Sequence, residues 1–167
     1  MWRSCTKIPR KNTPGRCWQR PSKEGAMTQE FLDGLLRSAN ENEHFLRHNG
    51  IRFTEVSEGR AVAELELSDT VINRWGTPHG GALFTMGDVA CGIAAISVRG
   101  ESLVTLNASI DYMERACIEG KVTAVAKVER AGGKVCFCSA EMFDCNGKRI
   151  AAMRAAMYYT GTKLDFA

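Results

Sequence analysis

Two glycines, a histidine and one acidic residue are spaced so that they could do chemistry. The stretch NRWGTPHGGALFTMGDVACGIAAISV places His79-Gly80-Gly81 at the start of an apolar run that contains a single carboxylate, Asp88. The first N–H groups of a helix carry partial positive charge, and glycine lets a ligand approach them closely. If a helix begins here, these residues predict a binding site for an oxyanion or another anion.

Asp88 stands among small and apolar residues from Met86 to Cys91. A carboxylate in such surroundings pays a desolvation cost unless hydrogen bonds compensate for it. Acids of this kind gather at functional sites, although some are structural and are satisfied by backbone donors. The pattern favours the functional interpretation and leaves the structural one open.

The distance between Gly80 and Asp88 limits how they could cooperate. Asp88 follows Gly80 by eight residues, which is ~12 Å along a helix axis. A general base must come within ~3 Å of its target. Two antiparallel copies of the helix could bring Gly80 of one chain to Asp88 of the other, so a catalytic site here predicts a symmetric dimer with two shared sites.

The elements around these residues follow from hydrophobic periodicity and turn signals. The pattern predicts one or two short helices, a hairpin around Gly59, a long helix and then four strands. Alternation in the first of those strands puts five apolar residues on one face, which we expect the long helix to cover. Those residues are Val104, Leu106, Ala108, Ile110 and Tyr112, and the elements are 28–50, 51–58, 60–67, 80–98, 102–116, 121–130, 134–144 and 149–160.

The long helix is apolar on every side, which is typical of a buried helix. It is also long enough to suggest a membrane span, but a central Asp costs ~2.5–3.5 kcal/mol on insertion scales, and four glycines weaken it further. The sequence therefore predicts an α+β fold in which an antiparallel β-sheet wraps around one buried helix at about residues 80–98. We expect no membrane partner.

Charge is distributed unevenly along the 167 residues. Residues 1–26 hold seven Lys or Arg and one acid, and the remainder holds 15 basic and 18 acidic residues. A net acidic domain is poorly suited to nucleic acid, whose phosphates bind clustered cations. We expect residues 1–26 to be a disordered basic tail, or an extension upstream of a start at Met27, followed by one domain over 27–161 and a short tail over 162–167.

The seven cysteines are odd in number and contain no CxxC pair. This usage is typical of reduced thiols, and it predicts a cytoplasmic protein. Cys136 and Cys138 would share one face of a strand as small hydrophobic residues. No metal-ligand spacing or phosphate-binding glycine loop is present, so we expect no metal and no cofactor.

The arrangement N-x-x-G-x-x-H-G-G-x(6)-D, from Asn73 to Asp88, resembles the hotdog-fold acyl-CoA thioesterases of the phenylacetate-degradation (PaaI-like) type. The likeness continues through VTLNASIDYMERA and covers about Phe31 to Tyr159. It implies a homodimer, and further a homotetramer, that hydrolyses an acyl- or aryl-acyl-CoA, with coenzyme A as part of the substrate. A non-catalytic acyl-CoA- or lipid-binding protein of the same fold is the alternative.

The resemblance also implies a role for each site residue. The Gly80 N–H would polarise the thioester carbonyl, and Asp88 of the partner subunit would be the general base or the nucleophile. Thr105 would help to position water or the acid, and Asn73 would hold the substrate carbonyl or the attacking water. His79 and Gly81 are the expected substrate contacts, with His79 also bracing the turn. From the residues alone, Thr105 fits the polar side of a strand, and Asn73 fits a loop cap.

Overall fold

The computed structural model describes residues 27–166, and the predicted tail over 1–26 lies outside them. Every predicted element is present in the predicted order, with ends that differ by a few residues. The elements are α1 (Gln29–Glu41), α2 (His44–His48), β1 (Ile51–Ser57), β2 (Arg60–Glu66), α3 (Gly80–Arg99), β3 (Glu101–Tyr112), β4 (Lys121–Ala131), β5 (Val135–Phe143) and β6 (Arg149–Lys163).

The six strands form one antiparallel sheet in the order β1-β2-β4-β5-β6-β3. The sheet curls around α3, which contacts all six strands. The α+β class predicted from the sequence is therefore confirmed. Strand β6 extends to Lys163, beyond the boundary expected at residue 161, and the Phe166 ring packs 5.2 Å from that of Phe31 on α1.

Helix α3 is the centre of the core. By length and composition it could cross a membrane, but Met86, Ala90 and Ala94 are fully buried inside the protein. Small residues allow the strands to approach closely, and Gly87 faces Met142 across a gap too small for a Cβ atom. The packing is that of a core helix wrapped by a sheet.

Strand β3 departs from the predicted alternation. Its pairing with β6 is interrupted by a bulge between Thr105 and Asn107. Such a bulge puts the side chains before it out of phase with those after it. Val104 and Leu106 are therefore 52% and 58% exposed rather than covered by α3. Ile110, beyond the bulge, packs against the core as expected. The predicted apolar face is thus covered only at Ala108 and Ile110, and Tyr112 at its end is 53% exposed.

The cysteines also differ in part from expectation. Cys117 and Cys145 bring their Sγ atoms together between the loop after β3 and the turn before β6, a contact that was not expected, and the reduced state of these thiols stays a prediction. Cys91, Cys136 and Cys138 are free and buried. The Sγ atoms of Cys136 and Cys138 lie 3.6 Å apart, and this contact together with burial raises the pKa of the Cys136 thiol. Cys136 and Cys138 therefore behave as small hydrophobic residues.

Candidate active site

Helix α3 begins at Gly80, and its first turn is held by the residue before it. The His79 N–H donates to the Val71 carbonyl at 2.7 Å, and His79 Nδ1 accepts the Gly81 N–H at 2.9 Å. The Gly80 N–H is one of the first-turn donors that have no acceptor within their own helix. The structure therefore leaves the Gly80 donor for a ligand and engages the Gly81 donor with His79, so a direct substrate contact for His79 and Gly81 stays a prediction.

Asn73 organises the loop that leads into α3. Its Oδ1 accepts N–H bonds from Trp75 at 2.9 Å and Thr77 at 3.3 Å, while its Nδ2 donates to Thr77 Oγ1 at 2.9 Å. Gly76 completes the turn with a φ of 72°, which favours glycine. The loop-capping role considered from the sequence is present, and the loop brings Asn73 to the same cavity as Gly80.

A cavity of about 220 Å³ opens beside Gly80. The loop before α3, the first turn of α3, and the segment that follows β3 form its walls. Its lining residues are Asn73, Thr77, Pro78, Gly80, Leu83, Tyr112, Glu114, Arg115, Ala116 and Ile150. The cavity can hold a small polar group in contact with the helix start, with an apolar wall behind it.

Two cavity residues were not predicted as part of the site. The Tyr112 hydroxyl donates to the Gly80 carbonyl at 2.7 Å, and Arg115 Nη2 donates to the Trp75 carbonyl at 3.2 Å. Tyr112 was expected only as the last member of an apolar strand face. Its phenol was the one available signal, since a tyrosine at the end of an apolar strand face combines an apolar ring with a hydroxyl that can hydrogen-bond.

Asp88 and Thr105 form the second group of predicted site residues. Thr105 Oγ1 donates to Asp88 Oδ1 at 2.9 Å, which directs one carboxylate oxygen and leaves the other available. Asp88 is half-buried in the protomer, not fully enclosed as expected, because α3 keeps one side uncovered there. The bulge in β3 is what turns the Thr105 side chain toward α3.

The structure thus brings Asn73 to Gly80 and Thr105 to Asp88, but the two pairs lie apart on one protomer. Asp88 is two turns further along the same helix, ~12 Å from Gly80. A second cavity of about 280 Å³ lies by α2 and the start of α3, where His79 and Gly81 line it. Among residues 27–166, no three His, Cys, Asp or Glu side chains come together in a group that could hold a metal ion.

Comparison with known proteins agrees with this architecture. Residues 76–151 match the Thioesterase superfamily. An Archaeoglobus fulgidus protein named "Putative esterase" is 30% identical over 137 residues, which cover 82% of this chain and 86% of the relative. The Escherichia coli acyl-coenzyme A thioesterase PaaI is 26% identical over 121 residues, covering 72% of this chain and 86% of PaaI.

Solved structures show the same fold. The Escherichia coli PaaI structure superposes with a TM-score of 0.72 at 24% identity, covering 81% of this chain and 99% of that one. A hypothetical thioesterase protein of Streptococcus pneumoniae, solved with coenzyme A, gives a TM-score of 0.64 at 24% identity, covering 68% of this chain and 91% of that one. The chain therefore belongs to the thioesterase superfamily, and its fold is the hotdog fold of the PaaI-like thioesterases.

Proposed function

We propose that this protein hydrolyses an acyl-CoA thioester to coenzyme A and a carboxylic acid, at a site shared between two copies of the chain. The observation that carries the proposal is the hydrogen bond from Thr105 on β3 to Asp88, whose carboxylate lies on the same helix as the open Gly80 N–H. An oriented carboxylate and a preorganised N–H donor are the two groups that acyl transfer to water requires. They are too far apart in one chain to act on one carbonyl.

Strand β3 supports a way for two copies to close that gap. It lies at an edge of the sheet, where unpaired backbone groups can pair with another strand. Thr105 touches Asp88, Tyr112 touches Gly80, and these two β3 residues are seven positions apart, or ~23 Å along a strand. Antiparallel pairing of β3 with its copy would bring the Thr105 end of one strand toward the Tyr112 end of the other.

The surface of α3 also supports a dimer. Gly81 and Phe84 are exposed, and Asp88 is half-buried, so an uncovered stripe runs along a helix that is otherwise enclosed. These positions recur at helical spacing, so they share one face. A second α3 lying antiparallel on this stripe would cover it and would bring each Asp88 to the other chain's Gly80.

In this arrangement the thioester oxygen lies at the Gly80 N–H, which stabilises the negative charge that develops on it. Asp88 of the partner subunit takes a proton from water, and the resulting hydroxide adds to the thioester carbon. The tetrahedral intermediate then collapses, the C–S bond breaks, and coenzyme A leaves as a thiolate that takes up a proton. Thr105 holds the carboxylate in position, and Asn73 maintains the loop beside the carbonyl. Direct attack by Asp88 on the thioester carbon is the other available route.

Release of free thiol from aryl-, short-chain and long-chain acyl-CoA by the purified protein tests the proposal, with light scattering to measure the oligomeric mass. We expect thiol release from at least one class by a protein of dimeric or tetrameric mass. Saturable acyl-CoA binding without thiol release would instead support the binding protein considered above, and a monomeric active protein would contradict the shared site. The acyl group, the tetramer and a cytoplasmic location stay predictions.

A further inference from the structure

The peptide group between Gly80 and Gly81 is held at both of its ends. The Tyr112 hydroxyl donates to its oxygen at 2.7 Å, and its N–H donates to His79 Nδ1 at 2.9 Å. The Tyr112 ring also closes over Gly80, where an added Cβ atom would lie 3.2 Å from both Cζ and the hydroxyl oxygen. One side chain from the edge strand therefore fixes the first residue of α3.

This turn needs such support because of its sequence. Two consecutive glycines at the first two helical positions have the lowest helix propensity apart from proline, since glycine loses the most conformational freedom. Helix ends fray readily, and an unwound first turn would redirect the Gly80 N–H away from the cavity. A hydrogen bond from outside the helix opposes that motion without occupying the N–H group itself.

Tyr112 is suited to this task by its position and its chemistry. It is the last residue of β3 and lines the cavity beside Gly80. Burial raises the pKa of its phenol above the ordinary value of 10.0, so the hydroxyl stays a donor throughout the neutral range. Thr105 lies on the same strand and contacts Asp88. Strand β3 therefore holds Gly80 through Tyr112 and Asp88 through Thr105.

We propose that Tyr112 is a positioning residue that keeps the Gly80 N–H aimed at the thioester oxygen by clamping the Gly80–Gly81 peptide. The inference rests on the proposed hydrolase function. The hydrogen bond from the Gly80 N–H to the thioester oxygen strengthens only when charge develops on that oxygen. Tyr112 therefore contributes to turnover more than to substrate binding.

Tyr112→Phe removes the hydroxyl and keeps the ring. We expect kcat to fall roughly tenfold, the equivalent of one lost hydrogen bond, with KM unchanged, on an acyl-CoA that the native protein hydrolyses. Tyr158→Phe is the matched control: Tyr158 lies on β6 between the buried Met157 and Tyr159, so it faces the outside of the sheet. The Tyr158→Phe variant should leave kcat and KM unchanged. An unchanged kcat for Tyr112→Phe, or a rise in KM alone, would overturn the proposal.

A second measurement separates this inference from the function on which it rests. Amide hydrogen exchange by ¹⁵N NMR follows the Gly81 N–H directly, and on the same sample shows that the variant is folded. We expect the exchange rate of the Gly81 N–H to rise several-fold in Tyr112→Phe and to stay unchanged in Tyr158→Phe, whether or not thiol is released. If the native protein releases no thiol, the proposed function fails, while unchanged Gly81 exchange in Tyr112→Phe overturns the clamp itself.

Discussion

The two ends of α3 are built in opposite ways. At its beginning, two glycines leave a backbone donor open beside a cavity, as described above. At its end, Gly100 adopts a φ of 60° and its N–H donates to the Ile96 carbonyl at 2.8 Å. The last carbonyls are also taken up, because Lys163 Nζ donates to Arg99 O at 3.0 Å and Leu164 N to Gly100 O at 2.9 Å.

Charged groups reinforce the closed end. Glu101 is only 6% exposed, and its Oε1 lies 3.1 Å from both Arg99 Nη2 and Lys163 Nζ. The hydrogen bond from Lys163, with that from Arg99, lowers the pKa of this carboxyl against the cost of burial. Arg99 also stacks 4.7 Å over Tyr159. One end of the helix therefore anchors the fold, and the other end keeps an unsatisfied donor for a ligand.

The largest effect on turnover is expected at Asp88, on the uncovered face of α3. Asp88→Asn keeps an acceptor for Thr105 but removes the base, so turnover should fall by ~10²–10⁴-fold while Tm changes little. Thiol release and thermal melting measure the two quantities. Asp33→Asn, on the exposed surface of α1, is the matched control and should be fully active. Equal activity of the two variants would exclude Asp88 as the base or nucleophile.

The next effect concerns the open donor itself. Gly80→Pro removes the N–H at the first helical position, where proline is well tolerated, and His79 already has the extended conformation that proline requires. We expect turnover to fall by ~10²–10³-fold. Gly80→Ala adds the same Cβ crowding against Tyr112 but keeps the N–H, so it should lose far less. If both variants lose activity equally, crowding rather than the donor is responsible.

At the closed end, substitution should change stability and leave activity intact. Gly100→Ala forces a Cβ atom into a left-handed conformation and should cost ~1–2 kcal/mol in the free energy of unfolding. Gly133→Ala, which meets nothing within 4 Å, is the control and should be near neutral. Urea denaturation measures both. A Gly100→Ala protein of native stability with lower turnover per folded molecule would reverse the assignment of the two ends.

The smallest effect is a pH dependence at Glu101. Because folding lowers its pKa below the ordinary value of 4.5, the ionised carboxylate stabilises the protein above about that pH, and this contribution is lost as pH falls further. Glu101→Gln should therefore lower Tm by a few degrees at pH 7, with the gap from the native protein closing in acid. A gap that stays constant down to pH 3 would show that the charge is not the stabilising feature.

The sequence was sufficient for the framework because periodicity reports which faces are buried. The apolar run beginning at Gly80 predicts α3 to within one residue at its end, and the Asn146-Gly147 turn separates β5 from β6 as expected for a hairpin. The pairing of a helix-start donor with a carboxylate on the same helix was also evident from spacing. These features depend on local sequence and on one helical repeat.

Features that depend on distant contacts were missed. The bulge in β3 shifts the phase of its side chains at Leu106, which no local alternation reveals. Val104 was therefore placed on the wrong face, and the contact of Thr105 with Asp88 did not follow from the alternation. The bond from Tyr112 to Gly80 joins residues 32 positions apart. The contact between Cys117 and Cys145 likewise depends on two loops meeting in space, 28 positions apart.

Subunit complementation tests the shared site most directly. Asp88→Asn and Gly80→Pro chains carrying different tags are co-expressed, and the mixed dimer is isolated through both tags. If Gly80 of one chain works with Asp88 of the other, one of the two sites in the mixed dimer is intact, so it should recover about half of the native activity, whereas both parent proteins stay inactive. A mixed dimer as inactive as its parents would place both groups in a single subunit and contradict the account.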